Sequence, residues 1–325
     1  MVNKNPPFEI TGAILSDVVR IAELVGKVST ARNLSSNPTL RRTNRIKTIY
    51  SSLAIEQNTL SLDQVTALLA GKRVIAPPKD IMEVKNAYEI YDRMDSLDPY
   101  SVDDLLAAHG VMTRDLTRES GVFRASPVGV VDKDGNILHF GTLPQYVPKL
   151  VSELFDWTRE SDIHMLIKSC VFHYEFELIH PFADGNGRIG RLWHTLLLSK
   201  WKPFFAWLPV ESIIHDRQDE YYAAINNSNI AGESTQFIEF MLSAIKAALV
   251  EADAEKTASP LTKKEDRWSS VYAYLQKSPV IMNADVRNLF GVSSATANRI
   301  LSGFVKDSKL KKIHSGHSWG YELNK

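Results

Sequence analysis

Apolar residues recur at three- and four-residue intervals along most of the chain. Ile14, Val18, Val19, Ile21, Ala22 and Val25 keep that spacing, as do Val84, Ala87, Tyr88 and Tyr91, then Val102, Leu105, Leu106, His109 and Met112. This periodicity predicts amphipathic helices through residues 9–112, joined by short polar breaks. Ser29 to Thr43 reads as polar and turn-rich. A helical run over residues 45–57 is broken at Asn58 and Thr59, and Ser61-x-x-Gln64 predicts a capping box opening the next helix. Further on, Ile167, Cys170, Val171, Tyr174 and Leu178 have helical spacing, Leu192 to Leu198 continues a helix, and Trp201 to Pro209 is an aromatic-rich break. Tyr221 to Asn229 follows, and Phe237 to Leu249 closes the series. Pro127 to Val131 and Asn136 to Phe140 flank Asp132-Lys133-Asp134-Gly135. Asp-Gly after a β-branched run predicts a hairpin.

Residues 251–260 read as a linker. Beyond it, helical runs at Ser269–Lys277 and Ala284–Phe290, the turn Gly291-Val292-Ser293-Ser294 and a run to Val305 predict a helix-turn-helix. Lys309 to Ile313 and Trp319 to Leu323, around Ser315-Gly316, would form a two-stranded wing. Residues 261–325 hold eleven Lys or Arg against five Asp or Glu, a balance of +6, while the whole chain of 325 residues is formally neutral. A local excess of that size is compatible with nucleic acid and with protein docking.

The remaining composition narrows the class. Hydrophobic residues make up 44% and charged ones 23%, as in ordinary globular proteins. Cys170 is the single cysteine and falls on an apolar helix face, where an inert buried thiol is expected. No apolar run of about 18 residues occurs, and the opening residues lack a signal-type core, so a cytoplasmic protein without a membrane partner is expected.

The chemistry concentrates in His180-Pro181-Phe182-Ala183-Asp184-Gly185-Asn186-Gly187-Arg188-Ile189-Gly190-Arg191-Leu192-Trp193. Gly185 and Gly187 allow positive φ and close backbone approach, so successive N–H groups can form an anion-binding nest. A helix starting near Arg188 adds its unpaired N–H groups and dipole. Asp184 beside phosphates is a plausible Mg²⁺ holder. Arg188 and Arg191, three apart on one helical face, can point at the same anion. His180 can take a proton from a hydroxyl near neutrality. A competing pattern lies in the same residues. Gly185-x-Gly187-x-x-Gly190, with Glu211 roughly 20 residues on, has the form of a dinucleotide fingerprint. The alternation of Phe172, Tyr174, Phe176 and Leu178 with His173, Glu175 and Glu177 even scores as a strand. The buried strand of such a fold should read as continuously apolar, and the chain supplies too few strands for a parallel sheet.

The stretch resembles the signature of the Fic (Fic/Doc) family, His-Pro-Phe-x-(Asp/Glu)-Gly-Asn-(Gly/Lys)-Arg-x-x-Arg, at every defined position. The resemblance implies a mainly α fold: a Fic helical bundle with a β-hairpin flap, plus a C-terminal winged helix-turn-helix domain. It divides the chain into an N-terminal helical region over 1–100, a catalytic core over 101–250, a linker over 251–266 and the winged-helix domain over 267–325. It implies a protein adenylyltransferase moving AMP from ATP to a Ser, Thr or Tyr hydroxyl. His180 would be the general base and Asp184 would hold Mg²⁺. Gly185, Asn186 and Gly187, with Gly190 alongside, would cradle phosphates, and Arg188 and Arg191 would grip the triphosphate. The phosphorylating Doc branch carries Lys where this chain has Gly187, which favours nucleotidyl transfer.

The same resemblance reaches beyond the signature. From spacing alone Glu56 is a solvated helix-end carboxylate. Family members carry an inhibitory helix, (Ser/Thr)-x-x-x-Glu-(Gly/Asn), and Ser52 to Glu56 fits it, within a helix over about 44–57. Gln57 departs from its last position. Glu56 would then pair bidentately with Arg191 and compete with the γ-phosphate. The flap over 127–142 would bind the target chain as an added strand, with Gly141 and Thr142 touching ATP. Tyr221 and Tyr222, with Asn229 seven residues after Tyr222, would contact the nucleotide. A homodimer is compatible, and DNA is a candidate partner of residues 267–325. The alternative from another class is a nucleotide-sensing winged-helix transcriptional regulator, which an intact His180 disfavours.

Overall fold

Helical spacing becomes helix nearly everywhere it occurs. The computed structural model describes residues 5–30, 38–131, 137–257, 260–276, 278–315 and 318–324. The chain divides into two compact units, Met1–Asp253 and Ala254–Lys325. The first contains α1 (Gly12–Thr30), α2 (Pro38–Ile55), α3 (Leu62–Leu69), α4 (Pro78–Asp92), α5 (Val102–Met112), α6 (Val147–Glu160), α7 (Met165–Ile179), α8 (Asn186–Trp201), α9 (Val210–Asp216), α10 (Gln218–Ala231) and most of α11 (Thr235–Thr257). The strands β1 (Gly129–Val131) and β2 (Ile137–Phe140) lie between α5 and α6.

α7 and α8 form the centre. Almost every residue of both is buried, Lys168, Glu177, Arg188 and Arg191 included. A helix enclosed on all sides has no solvent face to place its polar residues on, so each of these needs a partner. Phe155, Phe172 and Trp193 pack ring against ring at 5.4 and 6.0 Å, and the Trp193 indole donates to the Pro99 carbonyl at 3.0 Å. Buried aromatics of this size hold the turn between the two helices against a firm base.

Around that centre, α2 begins earlier and ends sooner than its spacing suggests. Pro38 opens it, as proline can in a first turn, so part of the stretch read as turn-rich is helical. It stops at Ile55, leaving Glu56 on the turn that follows. The capping box is present: the Ser61 hydroxyl accepts from the Gln64 N–H, and the Gln64 side chain accepts from the Ser61 N–H. β1 and β2 pair antiparallel with a bulge at Val130/Val131. The Asp132–Asn136 turn of the flap lies outside the described residues.

The second unit contains α12 (Pro260–Leu275), β3 (Ile281–Met282), α13 (Asn283–Phe290), α14 (Ser294–Lys306), β4 (Leu310–Ser315) and β5 (Ser318–Leu323). Its own core gathers Val271, Leu275, Ile281, Val286, Ala297, Leu301, Phe304, Leu310 and Tyr321. The sheet order is β3-β5-β4, all antiparallel. β3 is an addition to the two-stranded wing read from the sequence. Two further expectations change here. Residues 251–257 and 260–266 are helical where a linker was read. Phe172 to Leu178 lies in a helix, and every strand pair among the described residues is antiparallel, so the dinucleotide-fold pattern has no parallel sheet to open. No helix among the described residues is long and apolar enough to cross a membrane.

Candidate active site

The α7–α8 turn begins at His180, which caps α7 in the left-handed conformation (φ 51°, ψ 63°). Pro181 disfavours a helical residue before it and so ends the helix there. A non-glycine residue in this region costs about 1 kcal/mol and persists only where its surroundings fix it. Arg124, 2% exposed, supplies the fixing. Its Nε donates to the His180 carbonyl at 2.6 Å, Nη1 to that of Ser126 at 2.9 Å, and Nη2 to those of Ile179 and Thr142. The Arg124 N–H donates to the Pro181 carbonyl at 3.0 Å. One buried guanidinium thus ties the α7–α8 turn to the base of the flap. Nothing in the local sequence around Arg124 marks it for this.

Gly141 joins the same contact. A Cβ there would stand 2.9 Å from Arg124 Nη2 and 3.3 Å from His180 Cβ. The flap's end therefore lies directly against His180, with Thr142 held through its carbonyl. The His180 ring is 18% exposed. Its Nδ1 lies 3.3 Å from the Glu177 carbonyl, which can only accept a hydrogen bond and so assigns the ring hydrogen to Nδ1.

A second histidine, read from the sequence only as a partly buried helix residue, props the turn from beneath. His109 is fully buried and stacks on Phe182 with centroids 3.7 Å apart and planes at 5°. Its Nδ1 accepts from the Gly121 N–H at 2.9 Å, so Nε2–H donates to the Asp184 carbonyl at 2.9 Å. Burial pushes its pKa down, consistent with the neutral form these bonds require. Asn186 closes the loop: its amide donates to the Phe182 carbonyl and accepts from the Phe182 N–H, both at 2.9 Å. The side chain expected at a phosphate is therefore spent on the turn, leaving its backbone N–H for an anion.

The three glycines differ. Gly185 takes φ 86°, as a nest requires. Gly187 lies inside α8 without positive φ, and its lack of a side chain serves another purpose: a Cβ there would meet Glu56 Oε1 at 2.3 Å. Gly190 faces away from the nest, since its Cβ would meet Glu177 Oε1 at 2.9 Å and His173 at 3.2 Å. A direct phosphate contact by Gly190 is thus replaced by close packing of α7 on α8.

The two signature arginines diverge, contrary to the expectation that both point at one anion. Arg188 binds Glu83 of α4 at 3.2 Å and Asp184 at 2.8 Å, and its Nε is buried without a partner. Arg191 binds Glu56 Oε1 at 2.7 Å, Ser52 Oγ at 3.1 Å and the Ser52 carbonyl at 2.9 Å. Glu56 meets Arg191 through one oxygen and one nitrogen; Ser52 takes Nε, so the expected bidentate pair does not form. Burial alone would lower the Arg191 pKa, but the charge and hydrogen bond of Glu56 outweigh it and hold the guanidinium firmly cationic. Gln57, at the position that departs from the inhibitory pattern, takes φ 65°. Asn58 then reaches Glu83 at 2.8 Å.

Asp184 keeps 47% of its side chain exposed. Partial burial pushes its carboxyl up, but the charge and hydrogen bond of Arg188 and the Gly185 N–H more than offset this and hold it below the usual range. An ionised, exposed carboxylate next to a nest fits Mg²⁺, which takes one or two carboxylates and completes its shell with phosphates and water. Among the described residues no group of three metal-ligating side chains is assembled, so phosphate oxygens would supply the rest.

Of the tyrosine pair, Tyr221 is 1% exposed, with its OH 3.1 Å from His173 Nε2. It belongs to the core and has no face for a base. Tyr222 is partly buried on the adjoining helix face. Asn229 Oδ1 accepts from Tyr174 OH at 3.0 Å, and its Nδ2 is left without a partner.

A model of the Fic/DOC family matches residues 99–198. Protein adenylyltransferase fic-1 of Caenorhabditis elegans is 31% identical over 216 residues, 62% of this chain and 40% of that protein. Protein adenylyltransferase Fic of Nematostella vectensis is 28% identical over 231 residues, 67% of this chain and 51% of that protein. The chain thus spans about half or less of the length of these curated relatives. A crystal structure of a Fic family protein from Desulfovibrio desulfuricans G20 superposes with a TM-score of 0.79 at 39% identity, covering 98% of both chains. With the signature intact on the α7–α8 turn and that structure matched from end to end, this chain belongs to the Fic family.

Proposed function

We propose that the chain is a protein adenylyltransferase that moves AMP from ATP to a Ser, Thr or Tyr hydroxyl, and that Glu56 restrains it. The carrying observation is the occupation of Arg191 by Glu56 at 2.7 Å, above Gly187 and beside an intact His180 turn. A carboxylate on the guanidinium that would bind a γ-phosphate is a competitor of like charge and like geometry. That arrangement suits an enzyme kept from its nucleotide; a core without catalysis has no need of it.

The transfer would run in one displacement. His180 Nε2 takes the proton of the acceptor hydroxyl, the acceptor oxygen bonds to the α-phosphorus, and the bond from that phosphorus to the bridging oxygen breaks. Pyrophosphate leaves and AMP stays on the target. Asp184 would hold Mg²⁺, which supplies charge neutralisation on the phosphates. Gly185 and the first N–H groups of α8 would hold the phosphate chain, Arg191 would take the γ-phosphate once Glu56 withdraws, and Arg188 would act mainly by orienting Asp184. Most of the acceleration would come from positioning and fixed charge. Tyr222 and Asn229 would contact the nucleoside, and the edge of the flap would pair with the target backbone. Gly141 against His180 supports this last step, since it sets the flap's end beside the base. The expected location is the cytoplasm.

Incubation with α-labelled and, separately, γ-labelled ATP tests the reading. Label from the α-position alone should reach protein, rise in Glu56→Gly and vanish in His180→Ala. Transfer of γ-label would assign phosphorylation, and no transfer from either would refute the proposal.

For residues 260–324 we propose DNA contact through α14, where Ser294, Asn298, Arg299, Ser302 and Lys306 are exposed, helped by Lys311 and Lys312 on β4. The local balance of +6 supports it. Fluorescence anisotropy with random duplex should show binding that weakens steeply with salt; no such binding would leave protein docking as this unit's role.

A further inference from the structure

We propose that Glu177 is a positioning residue for His180, its carboxyl lying against the Nδ1 side of the imidazole and titrating with it as a coupled pair. The chemistry named for His180 rests on the transferase reading above; the coupling between the two side chains does not.

Three features set the carboxyl there. Glu177 lies in the last turn of α7 and His180 caps that helix, and Glu177 Oε2 stands 3.8 Å from His180 Nδ1. Gly190 leaves the notch: any side chain on α8 at that point would meet Oε1 at 2.9 Å. Oε1 is buried without a hydrogen-bond partner and lies 3.9 Å from His173 Nε2. A buried carboxyl with an unsatisfied oxygen is costly where it serves packing alone. Here it lies beside the Nδ1 of the His180 ring, whose hydrogen goes to the Glu177 carbonyl, so the carboxyl acts on the ring through its charge and not as a hydrogen-bond acceptor.

Among the described residues, these charged and titratable groups face it. His173 is held neutral, pushed well down first by burial and then by His194 and Arg191. Burial brings His194 itself down to about 4. Arg191 faces from α8, Glu56 from the turn after α2, and Tyr221 and Tyr222 from α10, both phenols raised by burial. Burial dominates Glu177 and drives it up to about 8, Arg191 opposing and Glu56 adding to the rise. A carboxyl of that kind and an imidazole 3.8 Å away exchange influence in both directions. Charging the ring favours the carboxylate, and the carboxylate raises the ring's proton affinity. At rest the protonated carboxyl leaves His180 neutral and ready to accept. Once the ring takes the acceptor's proton, the coupling favours release of the Glu177 proton to solvent, leaving a carboxylate beside the cation.

The test is a titration of His180 by NMR in full-length protein with labelled histidine, the resonance identified by its loss in His180→Ala. In Glu177→Gln, whose amide cannot ionise when the ring gains charge, the midpoint should fall by a few tenths of a pH unit to about 1. The pH of half-maximal AMP transfer should move with it, with KM for ATP unchanged within about twofold. Glu177→Leu, which fills the same space without a polar atom, should give the same midpoint and serves where the Gln variant fails to fold. A purely packing role would shift Tm and leave the midpoint in place; an unchanged midpoint in the folded variants overturns the proposal. A shifted midpoint in a protein that transfers no label refutes the transferase reading and leaves the coupling standing.

Discussion

The two sides of the signature hold their arginines differently. On the inner side, Arg188 is 4% exposed and Glu83 6%, both on helices, with Asn58 and Asp184 completing the set. On the rim, Arg191 is 1% exposed, but its carboxylate partner Glu56 is 33% exposed and stands on a turn beyond the end of α2. A cation deep in the protein with a partner on a part-exposed turn is a socket; a cation with a helical, buried partner is a strut. The difference says which contact a polyanion can displace. Ser52 keeps two hydrogen bonds to Arg191 when Glu56 leaves, so the guanidinium stays aimed.

Removing the strut should have the largest effect. Glu83→Ala takes from Arg188 its buried carboxylate and leaves it the half-exposed Asp184, while its Nε already lacks a partner. Breaking a buried pair by deleting one member typically costs about 3–5 kcal/mol. Urea denaturation should show a loss of that order. A loss under about 1 kcal/mol would mean that Arg188 finds water, and the contrast between the two sides would collapse.

Removing the socket's plug should cost less stability and change activity more. Glu56 is one-third exposed, so solvent screens much of its pairing. Glu56→Gly should lower stability by roughly 1 kcal/mol while tightening ATP by about tenfold, each tenfold matching about 1.4 kcal/mol of competition removed. Isothermal titration with ATP and magnesium checks this. Equal affinity in both proteins would show that Glu56 and the nucleotide do not share Arg191.

pH separates these effects further. The Asp184 carboxyl is depressed, so its contribution is present above the unfolded value near 4 and is lost as pH falls through the lower folded value. Glu177 acts in the opposite direction. Raised to about 8 when folded, it binds a proton that the unfolded chain releases near pH 4, so stability should fall as pH rises between these values. Thermal melts of wild type against Glu177→Gln over pH 5 to 8 should converge at the acid end and separate at the basic end.

Sequence reading reached what is local. The signature is one turn and one helix start, so fixed spacing was enough to place His180, Asp184 and Gly185 on one turn, and periodicity carried the helices on either side. What it missed lies far along the chain: Glu83 is 105 residues from Arg188, Arg124 56 from His180 and His109 75 from Asp184. Each looks like an ordinary polar residue on a helix or loop, and only burial turns it into a fixed part of the site. Tyr221 and Tyr222 show the limit of spacing alone. Neighbours on a helix point about 100° apart, and the sequence does not say which one the core takes. The chain likewise does not show which side chains approach a glycine, so the close packing of Gly187 on Glu56 and of Gly190 on Glu177 was not legible.

Gln57 offers the finest adjustment of the rim. Its φ of 65° lies where glycine rests freely and other residues pay about 1 kcal/mol. The inhibitory pattern has Gly or Asn at this place, both suited to that backbone. The Gln57 N–H donates to the Ala54 carbonyl and the Asn58 N–H to that of Leu53, both closing the end of α2, so the strained residue is part of what aims Glu56. Gln57→Gly relieves the strain but frees the unfolded chain, for a net gain of a few tenths to about 1 kcal/mol. Because the gain belongs to the conformation in which Glu56 reaches Arg191, basal labelling should fall, by up to about fivefold. Gln57→Asn should act the same way more weakly. Labelling that rises in Gln57→Gly would place the restraint in the Gln57 side chain instead of its backbone, and the plug would then be held by more than one contact.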